Sequence, residues 1–150
     1  MSPDDLDGVV EFPRSVEGVR MAMVAPALVD GKPLSHPDLD RAWALFVEHG
    51  VTPTFHVADQ ARPFDDAWYR DSDDAFVPVI ESVFLYTAAA LACTDLIVHG
   101  VFTRHPGLRV ASIENGSDWL ALLVKRLKKQ ANQTPWAFTE DPLDTIRQHV

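Results

Sequence analysis

The segment from residue 18 to residue 57 constrains the chain most, because it changes hydrophobic period twice. Residues 18–26 are nearly all apolar, with Val19, Met21, Met23 and Ala25 alternating with Arg20, Ala22 and Val24. That reads as a strand of a parallel sheet covered on both faces. A loop containing Asp30-Gly31 and Pro33 follows. Ser35-His36-Pro37-Asp38 then reads as a helix start, with Ser35 as cap, Asp38 three residues later and Pro37 in the first turn. Leu39, Ala42, Trp43, Phe46 and Val47 share one helical face, and Gly50 stands where a left-handed C-terminal residue belongs. Residues 51–57 are a second strand, with Pro53 expected near its start because proline fits a central ladder poorly. Strand, helix, glycine and strand in this order form a βαβ unit.

The pattern continues downstream. Residues 58–74 are polar, acidic and aromatic without periodicity, a long loop of the kind kept for function. Residues 74–92 read as a helix with Pro78 in its first turn. A short second helix is expected over 95–103, with Thr94 as cap and Gly100 weakening it. Residues 108–113 are the third strand, ending in the polar turn Glu114-Asn115-Gly116-Ser117. A helix from Asp118 to about Gln130 follows, with Ser117 as candidate cap and Leu120, Leu123, Val124 and Leu127 facing inward. The cations Lys125, Arg126, Lys128 and Lys129 suit its negative C-terminal end. A last helix spans about 142–149. Residues 1–16 form a ragged start, with a possible strand stub at 9–12, and residues 17–150 form one domain of α/β class.

Composition removes several function classes. The 150 residues carry a net charge of -9, and residues 1–75 hold 15 acidic and 6 basic side chains. Such an excess of carboxylates repels phosphate backbones, so nucleic acid is not an expected partner. The longest charge-free run in the apolar region, residues 82–94, has 13 residues, short of the roughly 18 that span a bilayer. No membrane partner is expected. Cys93, the one cysteine, forms no internal disulfide and reads as packing, so a reducing, cytoplasmic setting is expected. The acidic N-terminus does not read as a signal peptide.

Two residues stand where chemistry collects. His56 ends the second strand and Glu114 follows the third, and in βα architectures the C-terminal ends of strands face the active-site mouth. A histidine there can bind a divalent metal while a second group orients its other nitrogen. A carboxylate there can exchange a proton or bind metal. The bland alternatives are a packing histidine and a surface glutamate. Asp59 and Arg62 open the loop after His56 and read mostly as solvated. Asn115 can shape the turn, Asp118 suits a first helical turn, and Trp119 can pack on the sheet edge. His36, His49, His99 and His105 lack ligand spacing and read as structural.

The stretch from Asp95 to Trp119, and within it Gly100-Val-Phe-Thr-Arg-His-Pro-Gly-Leu-Arg109, resembles the amidohydrolase-related family, in the branch of aminocarboxymuconate semialdehyde decarboxylase. Gly18-Val19, Ser35-His36-Pro37-Asp38, Trp43 and Gly50-Val-Thr-Pro-Thr-Phe-His56 fit the same family, and residues 139–150 fit more loosely. The resemblance implies a (β/α)₈ barrel that binds one divalent metal, often zinc. It implies that His56 is the fifth-strand metal ligand and that Glu114 stands where many members have a sixth-strand histidine used in chemistry. The chain has no His-x-His pair and no late Gly-Ser-Asp-x-Pro segment. It is therefore expected to be a partial barrel, roughly strands four to six with their helices, and part of a metal-dependent hydrolase or carboxy-lyase acting on small carboxylated or cyclic substrates. Such a piece is expected to be inactive alone and to self-associate through open sheet edges. The alternatives are a non-catalytic interaction protein and an unrelated open-sheet α/β domain, whose strand order would be non-sequential.

Overall fold

A computed structural model describes residues 18–57, 64–69 and 79–150. Three strands, β1 (Met21–Met23), β2 (Thr52–His56) and β3 (Ala111–Ile113), form one sheet in the order β1-β2-β3. Both pairings are parallel, with Met21 opposite Thr52 and Thr54 opposite Ala111. Helix α1 (Asp40–His49) connects β1 to β2, and α2 (Val79–Val83), α3 (Tyr86–Val98) and α4 (Val101–Arg104) lie between β2 and β3. Helices α5 (Asp118–Gln133) and α6 (Pro142–His149) follow. The α/β class and the sequential strand order are as expected, and the order sets aside the non-sequential alternative. Among the described residues, no helix is long and apolar enough to cross a membrane. The ragged start at 1–16 and the stub at 9–12 lie outside the described residues.

All three strands are shorter than their apolar runs. The reason is clearest at β3, where Leu108 and Val110 are buried but unpaired with β2. The Val110 amide donates instead to the His149 carbonyl at 2.7 Å, so the end of α6 captures it. The sheet is also covered less completely than expected. The register puts Met21, Met23, Thr54, His56, Ala111 and Ile113 on one face and Ala22, Pro53, Phe55 and Ser112 on the other. Phe55 is fully buried in the core, whereas Met21 and Met23 are each 59% exposed. Among the described elements, helices cover one face only.

Pro53 lies inside the central strand and is buried. Thr52 donates its amide to Arg20 O on the β1 side, so the alternate nitrogen of Pro53 faces the β3 side. Pairing with β3 begins only at Thr54, and no ladder bond is lost there. Gly50 closes α1 as expected, in the left-handed region at φ 61°.

The expected caps were reassigned by distant partners. His36, not Ser35, caps the 3-10 turn Pro37–Leu39, its Nδ1 accepting from the Asp38 amide. Ser35 donates both its amide and its hydroxyl to the Asp95 carboxylate, each at 2.8 Å. Thr94 does not start a helix. It sits inside α3 and donates to Ala90 O, because Ala88, Ala89, Ala92, Cys93, Leu96 and Ile97 continue one buried face through it. The described part of the expected helix at 74–92 breaks between α2 and α3, and its start lies outside the described residues. Gly100 stands at the α3–α4 junction with φ 67°, and a Cβ there would meet Thr139 Oγ1 at 3.1 Å.

Helix α5 runs to Gln133, so Lys125, Arg126, Lys128 and Lys129 are not at its C-terminal end. They form part of its solvent face, while Trp119 and Leu127 point inward. Ser117 precedes α5 without a side-chain cap bond. Helix α6 has the expected bounds. Its His149 stacks on Phe102, ring centroids 4.7 Å apart, and helps close a core built on Phe55, Leu96, Val101, Phe102 and Leu108. Each large apolar side chain buried there contributes about 1.5–3 kcal/mol.

Candidate active-site mouth

Parallel neighbours end on the same side of a sheet, and here two of those ends carry the polar groups. His56 is the last residue of β2 and pairs with Ile113, the last of β3. Glu114 comes next, at φ 61°. A non-glycine residue in this left-handed region costs about 1–2 kcal/mol. Its carboxylate meets the ring of His56, Nε2 to Oε2, at 3.0 Å. The His56 side chain is 24% exposed and that of Glu114 is 71% exposed, so the pair opens to solvent from the strand ends. The two residues singled out from strand position are thus brought together.

Asn115 follows Glu114 in the turn. It is buried, and its Nδ2 donates to Phe55 O at 3.0 Å, Ile113 O at 2.9 Å and Ser112 Oγ at 3.1 Å. Its Oδ1 is buried and has no hydrogen-bond partner among the described residues. Sequence reading gave Asn115 the turn alone; only the strand order could show that its side chain reaches β2. Trp119 is buried as expected, and its indole donates to Gly116 O at 3.0 Å, fixing the turn to the first residues of α5. Asp118 is exposed in the first turn of α5. Asp59 and Arg62 lie outside the described residues.

The remaining candidates do not join this mouth. His36 is a cap, and His99 Nδ1 lies 2.9 Å from Asp95 Oδ1. His105 Nε2 lies 3.5 Å from Asp40 Oδ1. Cys93 is buried, and burial pushes its thiol up to about 12, which leaves no thiolate for nucleophilic work. Among the described residues no group of three or more His, Cys, Asp and Glu side chains could hold a metal ion. His56 and Glu114 supply one nitrogen and one carboxylate, whereas a catalytic metal needs about three protein ligands. The described residues therefore do not compose a metal site by themselves. What the pair can do unaided is proton exchange, with an imidazole orienting a solvent-facing carboxylate.

A second polar cluster explains the most specific stretch of the sequence. Arg104 donates through Nε and Nη2 to both oxygens of Asp40, at 3.0 and 2.9 Å. It also donates to His99 O at 2.7 Å and to Ser35 O at 3.2 Å. Burial raises the Asp40 carboxyl, but the Arg104 guanidinium, with help from His105, holds it below the usual carboxylate range. This cluster joins α1, α4 and the loop before α1, and it is scaffold.

The chain superposes on the crystal structure of an amidohydrolase from Mycobacterium avium subsp. paratuberculosis K-10, with a TM-score of 0.74 and 35% sequence identity. This chain is similar to an amidohydrolase. The match covers 97% of this chain and 37% of that one, so the chain spans a little over a third of that protein's length. The likeness supports a relationship with the amidohydrolases but does not carry the narrower decarboxylase branch. No family model and no curated protein matches the chain.

Proposed function

We propose that this chain forms the middle of a (β/α)₈ barrel, roughly strands four to six, and contributes part of the mouth of a metal-dependent hydrolase of the amidohydrolase kind. The observation that carries the reading is the His56–Glu114 contact at 3.0 Å, at the C-terminal ends of two neighbouring parallel strands. The 35% identity to an amidohydrolase over nearly the whole chain supports the reaction class. A small carboxylated or cyclic substrate with a hydrolysable carbonyl fits that class.

In this reading Glu114 faces the mouth and takes a proton from the attacking water. His56 holds the carboxylate in place through Nε2. His56 is also the one ligand these strands would bring to a metal, with the other donors coming from outside the described residues. Because the described donors alone do not fit a metal, no step is routed through one. The exposed Met21, Met23 and Ile113 and the open edges of β1 and β3 are the surfaces that further strands would cover, and through which the isolated chain self-associates.

Calorimetric titration of the full chain with zinc tests the site. Sub-micromolar binding that is lost in His56→Ala would support a metal site retained at His56. Absence of binding, or equal binding by His56→Ala, would leave His56 without a metal role in this chain and the relationship to the amidohydrolases as ancestry alone. Solution mass tests the open sheet: association above the monomer is expected, and a monomer that unfolds cooperatively in urea contradicts the partial barrel.

A further inference from the structure

We infer that Asn115 is a positioning residue that locks the ends of β2 and β3 together so that His56 and Glu114 meet. The inference rests on the reading of that pair as the working part of the mouth. Asn115 Nδ2 reaches the carbonyls of Phe55 and Ile113, the residues immediately before His56 and Glu114. One side chain therefore ties together the ends of two strands, at the final pair of the ladder, His56 with Ile113. The three acceptors fix which way the amide faces, because a flipped Asn115 would point its oxygen at two carbonyl oxygens.

A turn-forming role alone does not account for this arrangement. Glu114 and Gly116 both have left-handed backbones, at φ 61° and 68°. Asparagine tolerates that region better than glutamate, so a turn chosen only for backbone comfort would place Asn at 114. The chain does the reverse. It puts Glu at the strained position, where its carboxylate reaches His56, and buries Asn between the strands.

The test reads the His56 ring by NMR in the full chain. Glu114→Gln gives the ring shifts of a broken pair. Asn115→Asp keeps the shape but removes the donors, and Asn115→Ala removes both without adding charge. The inference expects each Asn115 variant to reproduce the His56 shifts of Glu114→Gln while signals of the core around Phe102 stay unchanged. Ser112→Ala, which leaves both carbonyl contacts, is expected to leave His56 unmoved. If the Asn115 variants keep the wild-type His56 signals while Glu114→Gln moves them, the inference is overturned and the pair stands. If Glu114→Gln moves nothing, the pair and the inference fall together. Absence of zinc binding with positive NMR results removes the metal-site reading and leaves the inference. Where neither Asn115 variant folds, hydrogen exchange of the Asn115 side-chain amide in the unaltered chain decides. Slow exchange supports the clamp, and exchange as fast as an exposed amide refutes it.

Discussion

Around Arg104, a single guanidinium serves both oxygens of Asp40 and the carbonyls of Ser35 and His99. At the strand ends, Glu114 meets His56 and otherwise lies open, on a backbone that disfavours it. Both regions are polar, but the first ties several elements of the fold together, whereas in the second the Glu114 side chain is 71% exposed. A satisfied network holds elements together. A strained, exposed group beside a histidine is where a functional role is proposed.

The sharpest way to break this contrast is to remove one member of each region and measure urea unfolding. Arg104→Ala is expected to lower stability by about 2–3 kcal/mol, because charged hydrogen bonds are lost and two carbonyls lose a donor. Equal stability of Arg104→Ala and the parent chain would show that the cluster is not scaffold. Glu114→Gly is expected to act in the opposite direction, raising stability by about 1 kcal/mol as left-handed strain is relieved, while abolishing the contact with His56. A destabilised Glu114→Gly would mean that the pair serves the fold.

Acid should separate the regions further. The Asp40 carboxyl is depressed in the folded chain, so its contribution is complete above the unfolded value near 3.9 and is lost as pH falls through the lower folded value. The stability of Asp40→Asn is therefore expected to vary less with pH below about 4 than that of the parent. Identical acid profiles would contradict the role of Arg104 in holding that charge. The smallest effect concerns Cys93, whose buried thiol is expected to resist alkylation at neutral pH until the chain unfolds. Rapid labelling of the folded chain would contradict its burial.

How much could be read beforehand follows from where each signal lives. The βαβ order, the Gly50 cap, helix α6 and the strand-end positions of His56 and Glu114 were legible because each depends on a local pattern. Ser35 was misread as a cap because its hydroxyl is taken by Asp95, sixty residues away. Thr94 was misread because burial on α3 overrode its capping preference. The third strand was drawn too long because Val110 bonds to His149, a partner no periodicity shows. Arg104 marked the resemblance without showing its use, and Asn115 showed only its turn. Both act through carbonyls on other elements, which leave no mark in a single sequence.

A crystal structure of the full chain, determined at neutral pH, would test the core of this account most directly. The account requires the His56 imidazole and the Glu114 carboxylate to lie within hydrogen-bonding reach at one end of a parallel sheet ordered β1-β2-β3. Finding those two side chains at different ends of the sheet, or the strands in another order, would contradict it.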